Sequence, residues 1–387
     1  MSRTLSKLGI LIAMVFISAM MFFDSSKACA DVSSFEWSVS DDGTLTITGE
    51  GIIPPYFSPW FNEGGIDSGR IKSIVFSEGI TEIGDLSIQA LSEVTSVSFP
   101  NTLKVIGGQN FCGCKFESIS LPEGLVEIDY CSFQDCDSLT SVTIPSTVTT
   151  IGFGAFTQCA SLLNIDVAQG NQVFQSRDGV LFNVGNNSTS LVCYPIGRTD
   201  SIYTVPSDTL NINEYVFSES TSLEEVILPR GIRRIEMGAY QDCASLTRLT
   251  FPETLTFIGA NTFLRCPLFE SITILDSVEY IGDTAFSKNT IICCSKDSAA
   301  ELYAKRNGNR IIYLDELYEN VLPSNLTAIE EESLYSTAFD TIYISPDVIA
   351  IGANAFSKNT IIICVPDSVA DIWARENDYL VFNIPNS

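Results

Sequence analysis

The residues best equipped for chemistry in this 387-residue sequence are its 12 cysteines and its 47 aspartates and glutamates; histidine is absent. Without imidazole, the commonest general base, the Ser-His-Asp and Cys-His constellations and the commonest metal ligand all drop out. A cysteine nucleophile would have to draw its thiolate from a helix dipole or a lysine. Cys112-x-Cys114 and Cys293-Cys294 lack the two-residue spacer of zinc knuckles, and no histidine can complete a site. Acidic residues gather at Asp41-Asp42, Glu127-x-Asp129, Glu224-Glu225 and Glu330-Glu331-Glu332. Carboxylate pairs cleave glycosidic bonds when held at the right separation, but no sugar platform accompanies these, and Asp-x-Asp-x-Asp-Gly calcium loops are missing. They read as solvated surface. The expectation is a chain with no catalytic residue, metal site or cofactor, and hence not an enzyme.

The elements that must position these residues follow from an internal period. Phe133 and Phe156, Cys136 and Cys159, Pro229 and Pro252, and Ile235, Ile258 and Ile281 are each 23 residues apart. The isoleucine of an Ile-Gly position marks ten coils, at Ile83, Ile106, Ile128, Ile151, Ile212, Ile235, Ile258, Ile281, Ile329 and Ile351. A period in the twenties with fixed apolar positions makes each unit one turn of a solenoid that buries its apolar side only against its neighbours. Within a unit, Val142-Thr143-Ile144-Pro145 alternates apolar and polar, which predicts a strand with one buried face that the proline ends. Gly152 is expected to allow a tight bend with positive φ, and Ala155-Phe156 to drop a ring into the core on the return side. Cys114, Cys136, Cys159, Cys243 and Cys266 share one place in the repeat. A residue that recurs in this way behaves as a small buried group filling a core column, rather than as a reactive thiol.

The pattern Leu-x-x-Val-x-Ile-Pro-x-x-Val-x-x-Ile-Gly-x-x-Ala-Phe-x-x-Cys resembles the BspA-like leucine-rich repeat of bacterial surface proteins. The resemblance spans roughly residues 70–382 with interruptions. It implies a β-rich leucine-rich-repeat solenoid with a parallel sheet on one face, and adhesion to host or neighbouring-cell proteins. Three departures from regular coils fit the same family. The Asp42-Gly43 turn between alternating segments predicts an N-terminal β-hairpin cap over the first coil. Residues 164–205, with a second turn at Asp178-Gly179, predict a β-hairpin insertion that projects from the stack. Residues 285–292 (Ala-Phe-Ser-Lys-Asn-Thr-Ile-Ile) recur unchanged 70 residues later, each copy ahead of a helical segment. The duplicate predicts two short capping helices, 298–307 and 367–377, with Ala299, Leu302 and Tyr303, or Val369, Ile372 and Trp373, on the apolar face.

The N-terminus carries Arg3 and Lys7, an apolar run and Ala28-Cys29-Ala30, which reads as a signal peptide over 1–30; a lipoprotein anchored through Cys29 is the minor alternative. The expected division is therefore 1–30 signal peptide, 31–69 cap, 70–292 repeats with the 164–205 insertion, and 293–387 a helix, further repeats and a closing helix. The formal net charge of −26 repels phosphate backbones and anionic lipid heads, so nucleic acid is not an expected partner. After residue 30 no run approaches the roughly 20 apolar residues of a membrane span, so the chain is expected to be secreted or held at the cell surface. The partner is expected to be an extracellular or surface macromolecule, protein or glycan. It would meet the outward strand positions: Ser98, Ser120, Thr143, Ile227, Thr250, Thr273 and Tyr343, with Glu225 and Arg248 two residues earlier on the same face. A rival reading is a structural envelope component whose duplicated C-terminal block packs against other copies.

Overall fold

Most repeats supply two short strands in the computed structural model, which describes residues 34–62, 65–185, 188–314, 322, 326–335 and 341–383. The first strand carries the alternating segment: Ser141–Ile144 runs parallel to Ser118–Ile119 on one side and Asn164–Val167 on the other. The second carries the Ile-Gly isoleucine. Gly51–Ile53, Ile80–Ile83, Val105–Ile106, Glu127–Ile128 and Thr150–Ile151 form one parallel five-stranded sheet. Ile83, Ile106 and Ile128 are fully buried, each contributing roughly 1.5–3 kcal/mol by its removal from water. The solenoid makes about 13 turns, more than the ten isoleucine markers. Strands Gly51–Ile53 and Thr189–Cys193 join the same columns without an Ile-Gly, and two C-terminal turns replace the second strand with a helix.

The glycine after the isoleucine serves close approach, not a left-handed bend. Gly152 is outside the positive-φ residues, but a Cβ there would stand 2.3 Å from Tyr130 N of the preceding coil, and one at Gly259 would stand 2.4 Å from Met237 N. Opposite this corner the aromatic position builds ladders. Phe111, Phe133 and Phe156 stack at 5.4 and 5.6 Å, and Phe217, Tyr240, Phe263 and Phe286 at 5.0, 5.0 and 5.1 Å. The repeated cysteine is buried beside them and does more than fill space. Its thiol points to the carbonyl of the ring residue one coil back, Cys136 to Phe111 O and Cys159 to Phe133 O at 3.2 Å, Cys243 to Phe217 O and Cys266 to Tyr240 O at 3.0 Å. The weak S–H donor fits a small apolar slot and adds to the backbone N–H that Phe111 O, Phe217 O and Tyr240 O already accept, using the second lone pair of the carbonyl.

The cap is the expected hairpin: Glu36–Val39 pairs antiparallel with Thr44–Thr48, which lies parallel to Ser73–Phe76 and so continues the first-strand sheet. Phe35, Phe57 and Trp60 close the end of the core beneath it. The insertion departs from expectation. Phe174–Arg177 and Val180–Asn183 do form a hairpin, but Val180–Asn183 then pairs with Thr189–Cys193, which is parallel to Thr209–Ile212. The hairpin is woven into the stack because Val180, Leu181 and Phe182 are all fully buried. Leu181 belongs to the N-terminal core and Val180 and Phe182 to the next one. It is a wall with apolar residues on both sides.

The two helices are Ala299–Asn307 and Val369–Glu376, capped by Ser298 and Ser368, whose hydroxyls accept from Glu301 N and Asp371 N. Their buried faces match expectation at Tyr303 and Trp373 only. Ala300, Tyr303 and Ala304 pack inward in the first, and Ala370 and Ala374 in the second, whereas Leu302 (65% exposed), Val369 and Ile372 face out. Small alanines let the first helix lie close enough for the Tyr303 hydroxyl to accept from Phe286 N at 2.9 Å.

Candidate functional site

The outward positions of the first strands split into an open half and a covered half. In the open half, Ser98, Ser120 and Thr143, with Ser96, Ser118 and Ser141 two residues earlier, are all exposed. Inward Val142 and Ile144 fix this orientation, since period 2 turns each intervening side chain to water. Ser118, Ser120, Glu123, Thr143 and Pro145 line a shallow depression of about 240 Å³. The surface is rich in hydroxyls and shallow, with Glu123 and the exposed Asp166 of the adjoining strand as its nearby charges.

The covered half lies against the chain's own C-terminal block. In strand Ile291–Cys294 the inward residues Ile292 and Cys294 enter the main core, yet outward Cys293 is also fully buried. In strand Ile361–Cys364, Ile362 and Cys364 fill the last block's own core while outward Ile361 and Ile363 are buried as well. The two outward faces meet, joined by Ile312 and Phe382. The Ser271 hydroxyl donates to Val381 O at 2.8 Å across the junction. Thr273 is buried and Tyr343 half-buried there, so neither presents an open face to solvent.

Arg248 bridges the two bodies. Its Nη1 lies 3.2 Å from Glu225 Oε2 on the neighbouring coil, and its Nη2 lies 2.8 Å from Asp367 Oδ1 and 3.2 Å from Asp371 Oδ2. Asp371, fully buried, also accepts from Arg375 Nε (2.7 Å), Asn383 Nδ2 (3.1 Å) and Asp367 N (3.0 Å). Burial pushes the Glu225 carboxyl up from its ordinary range, against the pull of Arg248. A cleft of about 600 Å³ runs beside this cluster, lined by Arg248, Ser271, Thr273, Lys358, Arg375 and Asn383 among others. Of the nominated residues, Glu225 and Arg248 are thus brought together and tied to the C-terminal block, Thr250 is half-buried, and Ile227 stays exposed. Asp367, Asp371 and Arg375 were not reached by reasoning on outward strand positions. Their signal is the unbroken apolar runs Ile291-Ile292-Cys293-Cys294 and Ile361-Ile362-Ile363-Cys364, since a strand apolar on both faces is covered on both.

Three of the buried thiols are poor nucleophiles in these surroundings. Burial raises Cys131, Cys293 and Cys364 to about 12, where the thiolate is negligible at neutral pH. The eleven cysteines of the described residues are all buried except the half-buried Cys112.

The BspA-type leucine-rich repeat region model matches six copies, over residues 66–178, 200–296 and 305–372. The chain belongs to the BspA-type leucine-rich repeat family. No curated protein matches its sequence. Among solved structures, this BspA-type chain is similar to a leucine-rich repeat protein from Eubacterium ventriosum, at 23% identity and TM-score 0.61 over 85% of this chain and 93% of that one. It is also similar to the pneumococcal vaccine antigen PcpA, at 18% identity and TM-score 0.54 over 91% and 97%. At these identities the likeness is one of fold. No described helix of the chain is long and apolar enough to cross a membrane.

Proposed function

We propose that this protein is a non-catalytic binding protein, secreted or displayed at the cell surface, that adheres to an extracellular macromolecule through the open half of its first-strand face. The observation that carries this reading is the run Ser98, Ser120 and Thr143, exposed among the described residues on one face of the stack. An extended hydroxyl-rich surface suits a protein or glycan partner, whereas a small substrate wants a concave and mostly apolar pocket. The raised cysteines and the missing imidazole argue against catalysis in the same direction. Family membership supports a surface role, and the signal-peptide pattern over 1–30, which lies outside the described residues, supports export.

The test is binding of the chain from residue 31 onward to an array of matrix proteins, mucins and glycans at physiological salt. Saturable binding is expected, and Ser120→Arg with Thr143→Arg should weaken it by at least about tenfold, the factor that ~1.4 kcal/mol corresponds to. Binding unaffected by that double substitution would remove the open face from the proposal. Absence of any saturable binder would remove adhesion itself.

A further inference from the structure

The contact between the covered sheet face and the C-terminal block has an internal symmetry. Residues 291–292 and 361–362 are parts of the exact eight-residue duplicate, and the same 70-residue offset relates Cys293 to Ile363, Ile312 to Phe382 and Thr273 to Tyr343. All of these lie at one junction: Cys293, Ile312, Ile361, Ile363 and Phe382 share a buried cluster with Ile291 and Tyr343 against it, and Thr273 is buried in the adjoining cleft wall. Each block therefore presents the same positions to the other. That is the signature of a self-complementary surface, the kind that closes two-fold dimers, formed here inside one chain.

We infer that this face is a docking surface for a second copy of the same chain, whose C-terminal block can take the place of the resident one. Each block has its own core, one built around Ile292, Cys294 and Tyr303 and the other around Ile362, Cys364 and Tyr379. Undocking thus exposes the small shared cluster and the Arg248 contacts without dismantling either stack. Exchange with an identical block remakes every contact, so the exchanged dimer loses only the entropy of association. Inside one chain the tether gives the resident block a high effective concentration. A dilute protein is accordingly monomeric, and crowding of copies favours exchange.

The experiment uses whole chains from residue 31 onward, in two variants. Arg248→Glu places like charges opposite Asp367 and Asp371; Asp367→Arg places like charges opposite Arg248. Both positions lie outside the buried cores, and circular dichroism with thermal unfolding checks that each variant retains the solenoid. Alone, each variant should sediment as a monomer at micromolar concentration. Mixed, they can form a dimer in which one junction pairs the native Arg248 with the native Asp367 and the other pairs the two substituted positions with opposite charges. We expect a mixed dimer, at least about tenfold tighter than either variant's self-association, and native mass spectrometry to show one copy of each. Adding Ile363→Asp to both chains should abolish it. A mixture that sediments as its components do would overturn the inference. So would a mixed dimer that survives Ile363→Asp, because the contact would then lie elsewhere. If the chains carrying the added Ile363→Asp fail to fold, the mixing result alone decides.

Discussion

The turn bearing helix Ala299–Asn307 and the turn bearing helix Val369–Glu376 start from the same eight residues and the same serine cap, but use their buried acid differently. In the first, Glu301 is satisfied locally, by Asp297 N at 2.8 Å, the Tyr313 hydroxyl at 2.5 Å and Lys305 Nζ at 2.7 Å. In the second, Asp371 sits in the same place, is shorter by one methylene, and receives Arg375 and Asn383 from its own block and Arg248 from the main stack. The aromatic settings differ too. Phe286 stacks on Phe263 at 5.1 Å and meets Tyr303 edge-on, so it ends a long ladder; Phe356 meets Trp373 at 5.9 Å within a smaller core. A repeated cap can therefore serve either as a local closure or as a handle for a distant coil, and a few side chains decide which.

The largest expected effects come from the rings. Phe286→Ala should cost about 4 kcal/mol and Phe356→Ala about 3 kcal/mol, within the usual range for deleting a buried phenyl, as read from urea unfolding. Equal losses would mean that the ladder adds nothing to the first block. Next comes the handle. Asp371→Ala strands Arg248 and Arg375 without their shared carboxylate and should cost about 2–3 kcal/mol, below the range for a fully buried pair because both arginines keep some solvent. Hydrogen exchange should quicken at 361–383 and also at 271–273 on the main stack, whereas Glu301→Ala should leave 361–383 as it was. Ser298→Ala and Ser368→Ala should each cost about 1 kcal/mol, the ordinary worth of a hydroxyl cap, seen as small drops in thermal midpoint.

The smallest effect is one of pH, at Glu301. Lys305, Tyr313 and Asp297 N hold Glu301 down at about 2, from an ordinary 4.5. A depressed acid contributes stability that is present above its ordinary value and lost as pH falls toward its folded one. Amide exchange over 299–313 should therefore accelerate between about pH 4.5 and 2, once corrected for intrinsic rates, and Glu301→Gln should flatten that dependence.

Much of the fold was legible because a solenoid writes its geometry once per turn. Ile83 to Ile351 marked the second strands, Asp42-Gly43 the cap hairpin, and the repeated Cys the buried column. What was not legible came from single events that the period does not repeat. Gly152 was expected to bend the chain, and instead admits the backbone of the preceding coil. The hairpin at Asp178-Gly179 was expected to project, but Val180, Leu181 and Phe182 have apolar residues on both faces and are drawn into the wall. The outward strand positions were read as one continuous surface, and Ser98, Ser120 and Thr143 do form one. Arg248 and Thr273 instead meet the C-terminal block, to which Tyr343 itself belongs, and only the doubly apolar strands Ile291–Cys294 and Ile361–Cys364 carry a hint of that meeting.

The column of thiols also gives the protein an intrinsic clock. Cys114, Cys136, Cys159, Cys243 and Cys266 each sit in a different coil, each hidden and each pointing at a carbonyl in the coil before it. A thiol becomes available to an alkylating reagent only when its own coil has come undone. A brief pulse of such a reagent, followed by peptide mapping, would thus read the order in which the stack unravels, with no label added to the chain.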